Sequence, residues 1–146
     1  GVRSQEPTEA IPFVHAIERK CAGHSNAGKP PLLIILHGSG DDEQGLLDIG
    51  RVLAPACGGA VILTLRGPLP RGYGFCWFEG SSASPAPDAE ASIAEAAASC
   101  IQLLQSAPHA LNTDPVRSYL LGHSQGAAIC WAVALSAWPR ADLLRG

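Results

Sequence analysis

Residues 117–135 read Arg-Ser-Tyr-Leu-Leu-Gly-His-Ser-Gln-Gly-Ala-Ala-Ile-Cys-Trp-Ala-Val-Ala-Leu, and this stretch decides the fold. Its first five residues are a short, mostly apolar run that predicts a buried strand, and residues 127–135 predict a buried helix. Between them lies Gly-His-Ser-Gln-Gly, residues 122–126. A serine in such a glycine-bounded turn between a strand and a helix is expected to hold its hydroxyl clear of the backbone.

The turn gives Ser124 two properties of a nucleophile. Gly122 and Gly126 allow neighbouring elements to approach closely, where a bulky side chain would collide with them. Ser124 also stands at a helix N-terminus, where free backbone N–H groups and the helix dipole favour developing negative charge. The N–H of Gln125 is therefore the expected first oxyanion donor. The competing interpretation is that Ser124 only caps the helix, as serine often does.

A second loop is expected at the same edge of the sheet. Residues 32–36, Leu-Leu-Ile-Ile-Leu, are a continuous apolar run that predicts a parallel strand buried on both faces, and His-Gly-Ser-Gly follows it. Because both loops leave the carboxyl ends of parallel strands, we expect the Ser39 N–H to be the second oxyanion donor. Gly38 permits the close approach and His37 supports the loop from beneath. Alone, this segment would also fit an ordinary strand-to-helix turn.

The rest of the chain alternates between strand and helix patterns, which predicts a mostly parallel sheet with helices on both faces. Strands are predicted at residues 11–19, 32–36, 60–65 and 116–121, and helices at residues 43–56, 88 or 92 to about 106, and 127–135. The first helix is expected to turn Leu46, Leu47, Ile49, Val52 and Leu53 inward, with Asp41 or Asp42 as its cap. Residues 1–10 are predicted to be a disordered tail, 66–80 an irregular loop and 81–88 a flexible loop.

Length and composition are those of a single globular domain. The chain has 146 residues, of which 47% are hydrophobic and 16% charged. A net charge of -3 without a Lys/Arg cluster argues against nucleic acid as a partner, and no apolar run reaches the length of about 20 residues that crosses a membrane. Five scattered cysteines without a Cys-x-x-Cys pair give no zinc or disulfide pattern. They suit a reducing compartment, so we expect a cytoplasmic protein.

Four segments resemble the phospholipase/carboxylesterase family, which includes acyl-protein thioesterases and lysophospholipase-type esterases. Residues 36–41, Leu-His-Gly-Ser-Gly-Asp, and residues 121–128, Leu-Gly-His-Ser-Gln-Gly-Ala-Ala, look like its signature pair. Residues 65–70 and 74–78 are similar to its proline-bearing loop and its Trp-Phe segment. The resemblance covers about residues 31–138, and four motifs in the right order make it specific.

The resemblance implies an α/β-hydrolase fold and hydrolysis of a carboxylic ester or thioester, with Ser124 as the nucleophile. The substrate would be a small-molecule or lipid-derived acyl compound, and no metal or cofactor is implied. Three residues depart from the family pattern without touching the nucleophile: His123 replaces the usual Phe, Ser39 the common Leu and Ala127 a third Gly.

The aromatic residues of the loop that follows the third predicted strand have two interpretations. Phe75, Trp77 and Phe78 would line an acyl-binding cleft, or they would pack the loop over the edge of the sheet. The sequence does not favour either role.

The second half of the catalytic triad is not visible in the sequence. In this fold the acid and the base follow the serine along the chain, but after Ser124 there is one acid, Asp142, and no histidine. We therefore expect a partial domain, truncated after the helix that carries Ser124, and we assign neither Asp142 nor His123 as acid or base. The alternative function is that of a catalytically inactive binding or regulatory module.

Overall fold

The computed structural model describes residues 1–19, 28–81 and 83–137, so Asp142 and one residue of the 81–88 loop lie outside the described residues. The strands are β1 (Ser4–Gln5), β2 (His15–Glu18), β3 (Leu32–Leu36), β4 (Val61–Leu65), β5 (Leu69–Arg71), β6 (Gly74–Cys76) and β7 (Ser118–Gly122), and the helices are α1 (Leu47–Leu53), α2 (Ala89–Ala110) and α3 (Gln125–Ala137). Five strands form one sheet in the order β1-β2-β4-β3-β7, and β5 pairs with β6 in a separate hairpin.

Strand β3 lies between β4 and β7 and pairs with both in parallel. All five of its residues are buried, as expected for an apolar strand covered on both faces. Its last residue, Leu36, is level with Gly122 at the end of β7. Because of this register, the loop after β3 and the turn after β7 begin side by side. The two predicted site segments therefore lie next to each other.

Helices cover both faces of the sheet, as the sequence predicts. Alternate residues of β3 point to opposite sides, because successive side chains of a strand face opposite ways. Leu32, Ile34 and Leu36 pack in a cluster with α2 and α3, whereas Leu33 and Ile35 pack in a second cluster with α1. The sheet itself is mixed, since β2 is antiparallel to both β1 and β4.

The N-terminal segment and the loop after β4 are more ordered than predicted. Residues 4 and 5, expected in a disordered tail, form β1, which pairs with β2, and the Ser4 hydroxyl donates to Glu43. The loop at residues 66–80 contains the β5–β6 hairpin, which pairs with the segment after β3 through Asp41 and Phe75. Both predictions were wrong because the stabilising partners are distant in sequence and the segments themselves carry no strong strand pattern.

Helix α1 begins at Leu47 rather than at residue 43, and the side that it turns to the core is not the predicted one. Ile49 and Val52, predicted to face the core, are 47% and 74% exposed. Gly50 faces the sheet instead, and a Cβ there would lie 2.8 Å from Ile62 Cγ2. The helix therefore packs through its glycine, whose missing side chain allows the backbone to approach β4. A hydrophobic pattern could not reveal that contact.

The helix ends also differ in detail from the sequence prediction. Neither Asp41 nor Asp42 caps α1, because its N-cap residue is Leu46, which makes no side-chain cap bond. Helix α2 has Asp88 at its N-cap position, as predicted, and extends to Ala110 rather than to about residue 106. Within the described ranges, no helix combines the length and apolarity that crossing a membrane requires.

Strand β7 and helix α3 are less buried than the sequence predicts. No strand pairs with the outer edge of β7 among the described residues, and Tyr119 on this strand is exposed. Trp131 lies in the segment predicted to be a buried helix, but it is 69% exposed on α3, and Leu135 is exposed beside it. The opposite face of α3 is well packed, since Ile129 and Val133 are completely buried. This end of the sheet therefore has an apolar surface.

Candidate active site

Ser124 occupies a strained backbone conformation at the turn between β7 and α3. Its φ is 53°, in the left-handed region that costs a residue with a side chain about 1 kcal/mol or more. Hydrogen bonds on both sides hold the turn, because the His123 N–H donates to Leu36 O at 3.0 Å and the Gly126 N–H donates to His123 O at 2.9 Å. The residue is exposed, so the turn presents the serine to solvent, as the sequence predicts.

Three glycines allow close contacts at this site, Gly122 within the turn itself and Gly38 and Gly126 between the turn and the loop after β3. A Cβ at Gly122 would lie 2.5 Å from the Ala127 nitrogen, and a Cβ at Gly126 would lie 2.7 Å from His37 O. A Cβ at Gly38 would lie 2.8 Å from His123 Nδ1 and 3.3 Å from the Cβ of Ser124. The contacts at Gly122 and Gly126 are with backbone atoms at distances that real Cβ atoms do not show, so these two positions require glycine. At Gly38 the shortest contact is with the His123 ring, which an added Cβ would have to displace.

Two backbone N–H groups near this junction have no hydrogen-bond partner among the described residues. Within residues 1–19, 28–81 and 83–137, neither the Ser39 N–H nor the Gln125 N–H donates a hydrogen bond to a protein acceptor. Gln125 is the first residue of α3, where the dipole of the helix adds partial positive charge. These are the two N–H groups that the sequence nominates as oxyanion donors.

His37 fixes the orientation of one of these donors. The Gly67 N–H donates to its Nε2 at 2.9 Å, so Nε2 is the acceptor and the ring proton is on Nδ1. Nδ1 then donates to Gly38 O at 2.6 Å. That carbonyl shares a planar trans peptide with the Ser39 N–H, so fixing one fixes the direction of the other. His37 is buried with both ring nitrogens engaged, which suits support and leaves no free nitrogen for proton transfer.

The aromatic loop after β6 packs into the core. Trp77 and Phe78 are completely buried, and the Trp77 ring meets the Phe13 ring edge-on with 5.6 Å between centroids. Phe75 is partly buried, and the Arg66 guanidinium lies 4.3 Å above its ring. Of the two roles the sequence left open, Trp77 and Phe78 therefore have the packing role and expose no surface to line a cleft. Cleft lining by Phe75 stays a prediction.

A buried ion pair supports the loop after β3 from the side. The Arg66 guanidinium binds the Glu43 carboxylate with two hydrogen bonds of 2.6 and 2.7 Å, and the Ser4 hydroxyl donates to the same carboxylate. Burial alone would raise the pKa of Glu43, but the hydrogen bonds from Arg66 and Ser4 lower it to about 2. The pair joins the turn before α1 to the end of β4 and to β1.

This ion pair predicts an acid-dependent loss of stability. The folded pKa of Glu43 is about 2, below its ordinary value of 4.5, so its stabilisation is complete above pH 4.5 and disappears as the pH falls to about 2. A shift of this size corresponds to on the order of 3 kcal/mol. We expect Glu43→Gln to lower the free energy of unfolding at pH 6 and to differ progressively less from wild type towards pH 2.5. Urea unfolding at several pH values measures this.

The control is Glu79→Gln, because Glu79 is exposed and its carboxylate lies 3.7 Å from Arg71. Exposed ion pairs contribute little to stability, so the free energy of unfolding of this variant should equal that of wild type at every pH. An equal loss of stability at pH 6 and pH 2.5 in Glu43→Gln would contradict the assignment.

The acid and the base of the triad, which we expect from the sequence to follow Ser124, stay a prediction. No described side chain hydrogen-bonds to the Ser124 hydroxyl, although the His123 ring lies against Gly38 nearby. Asp142, the one acid that follows Ser124, lies outside the described residues. The described residues at the site are therefore Ser124 and the two residues whose N–H groups the sequence nominates as oxyanion donors, and that role stays a prediction.

The fold has counterparts among solved structures. No family model matches the chain, and no curated protein sequence is significantly similar. A carboxylesterase from Mesorhizobium loti is 28% identical, with a TM-score of 0.68 over 90% of this chain and 58% of that one. A Bacillus cereus carboxylesterase is 21% identical, with a TM-score of 0.64 over 83% of this chain and 52% of that one. Esterase PE8 is 23% identical, with a TM-score of 0.64 over 82% of this chain and 55% of that one. The chain has the α/β-hydrolase fold and spans between 52% and 58% of the lengths of these proteins.

Proposed function

We propose that this protein is a serine hydrolase of carboxylic esters or thioesters. The observation that carries the proposal is Ser124 itself: it is strained into the left-handed region at the N-terminus of α3, beside two backbone N–H groups that have no described partner. A residue whose only task is to cap a helix has no need of a positive φ. Strain of this kind persists where an exposed nucleophile requires it.

In the proposed reaction, the Ser124 oxygen attacks the acyl carbonyl carbon while its proton passes to a general base. The carbonyl electron pair moves onto oxygen, and the N–H groups of Ser39 and Gln125 bind the resulting oxyanion. When the tetrahedral intermediate collapses, the bond to the leaving alcohol or thiol breaks and the base returns the proton to it. Water then hydrolyses the acyl-serine ester by the same route. The base and its acid partner must come from outside the described residues.

The proposed substrate class follows from the family resemblance and the structural neighbours. The Mesorhizobium loti and Bacillus cereus proteins are carboxylesterases, and the first shares 28% of its residues with this chain. The sequence motifs are more specific, because they resemble acyl-protein thioesterases and lysophospholipase-type esterases. We therefore propose a small-molecule or lipid-derived acyl ester or thioester as the substrate.

A second candidate is a binding or regulatory module without catalysis. One observation favours it: no described side chain is hydrogen-bonded to the Ser124 hydroxyl, and a serine without a base is a poor nucleophile. Such a module would bind acyl compounds at the same site without forming a covalent bond.

Labelling with a fluorophosphonate probe separates the two candidates. The protein to use is the full-length gene product, meaning residues 1–146 with any sequence that its gene encodes on either side. We expect stoichiometric labelling within minutes on the peptide that contains Ser124, and much slower labelling of a chain limited to residues 1–146, because no described group activates its hydroxyl. A folded full-length product that remains unlabelled at Ser124 would support the binding module instead.

A further inference from the structure

Gln125 has a second feature besides its backbone N–H. Its side chain is only 1% exposed and makes three hydrogen bonds with the segment that follows β6. Oε1 accepts from the Trp77 N–H at 3.0 Å, and Nε2 donates to Phe78 O at 2.9 Å and to Gly80 O at 3.2 Å. Both N–H groups and the oxygen of the carboxamide are thus bonded to backbone groups at positions distant in sequence.

The three bonds require a carboxamide. A glutamate of the same shape would still accept from the Trp77 N–H, but its second oxygen would face the carbonyls of Phe78 and Gly80 without a proton to donate. A methionine of similar length would leave all three backbone groups without this partner, and buried polar groups without partners are costly. The side chain therefore connects the first residue of α3 rigidly to residues 77–80.

The same segment reaches the other oxyanion donor. The Trp77 indole Nε1 donates to His37 O at 2.8 Å, and the His37 ring donates to Gly38 O, which shares its peptide with the Ser39 N–H. An unbroken series of contacts thus runs from the Gln125 carboxamide through Trp77 and His37 to the second donor. We call this series the Gln125–Trp77–His37 bridge.

We propose that Gln125 is a positioning residue. Through the Gln125–Trp77–His37 bridge, its side-chain carboxamide holds the backbone N–H groups of Gln125 and Ser39 at the separation that an oxyanion requires. This inference rests on the proposed function, because it assigns a task to the side chain only if the two N–H groups bind an oxyanion. An oxyanion site is effective when its donors are fixed before charge develops, and small misplacements are costly in rate.

The test compares Gln125→Met with Cys100→Ala in the full-length gene product, using p-nitrophenyl butyrate as the substrate. Cys100 is completely buried on α2 and belongs to no part of the bridge, so its variant loses stability without moving the donors. We expect Gln125→Met to lower kcat by about 10- to 100-fold with KM changed less than about threefold, because oxyanion contacts act in the transition state. Cys100→Ala should lower the free energy of unfolding and leave kcat unchanged.

Gln125→Glu adds a second measurement, the pH dependence of kcat, which would not change if Gln125 had a purely structural role. Ionised, the side chain repels the carbonyls of Phe78 and Gly80; protonated, it donates to one of them again. We expect its kcat, divided by that of wild type at the same pH, to be lowest at about pH 8 and to recover towards about pH 5. This variant keeps the bond from Trp77, so it also serves if Gln125→Met fails to fold.

The outcomes distinguish this inference from the proposed function. If wild type hydrolyses the ester but both Gln125 variants keep kcat within about twofold at every pH, the positioning role is wrong and the hydrolase function stands. If Cys100→Ala loses kcat as Gln125→Met does, loss of stability explains the effect and the positioning role is again wrong. If wild type shows no hydrolysis that depends on Ser124, the proposed function fails and this inference fails with it.

Discussion

Replacing Ser124 with alanine is expected to reduce kcat/KM for p-nitrophenyl butyrate by about 10⁴-fold or more in the full-length gene product. The change removes only the hydroxyl, so the attack on the acyl carbon is lost while the oxyanion donors stay in place. Alanine lacks the oxygen but shares the Cβ, so the left-handed turn with φ of 53° costs about as much as before. The variant should therefore unfold at nearly the same urea concentration as wild type.

Ser136→Ala is the matched control, because Ser136 is an exposed serine on the same helix, far along from the turn. Its kcat/KM should equal that of wild type within about twofold. Hydrolysis that survives in Ser124→Ala would show that another group is the nucleophile, or that the measured activity belongs to a contaminant.

Gly126→Ala is expected to lower the free energy of unfolding by about 3 kcal/mol or more, at or above the upper end of the usual cost of overpacking. The new Cβ would overlap with Leu36 O and lie 2.7 Å from His37 O. Both are backbone atoms at the end of a buried strand, so they cannot turn away as a flexible side chain would. Relief requires α3 to move off β3, which would open the packing of Ile129 and Val133. Urea unfolding measures the loss, and labelling of Ser124 should slow with it.

Gly72→Ala is the comparison for this effect. Gly72 has a φ of 60° in the turn of the β5–β6 hairpin, and no atom lies within 4 Å of a Cβ placed there. Its substitution adds only the strain of a left-handed residue, about 1–2 kcal/mol. Similar losses in the two variants would mean that the close approach to β3 does not explain why position 126 is glycine, because Gly126 itself lies in α3 and has no positive φ.

The sequence predicted the segments whose structure is decided locally or by a long apolar pattern. Strand β3 has the predicted bounds because five consecutive apolar residues suit a strand buried on both faces. The turn at Ser124 was predictable because its glycines and its position between two elements are a local signal. In contrast, the prediction of which face of α1 packs on the sheet was wrong, because the residue in contact with β4 is Gly50 and not a large apolar residue.

The side-chain network of the candidate site could not be predicted from the sequence. The backbone N–H of Gln125 was nominated from its place after the serine, but its carboxamide bonds to residues almost fifty positions away. The available signal was a glutamine at the start of an apolar helix, since a polar side chain buried there must find partners. Nothing in the pattern indicated which partners those would be.

The sequence by itself determined the α/β layering, the place of Ser124 at a strand-to-helix turn and the two loops that meet there. Tertiary structure decided the rest: it ordered β1 through Glu43, buried Trp77 and Phe78, and directed the His37 ring to the Gly38 carbonyl. The physical reason is the distance along the chain over which each kind of interaction acts. Periodicity and turn chemistry act over a few residues, whereas hydrogen-bond partners and close packing are set by which distant segments the sheet brings together.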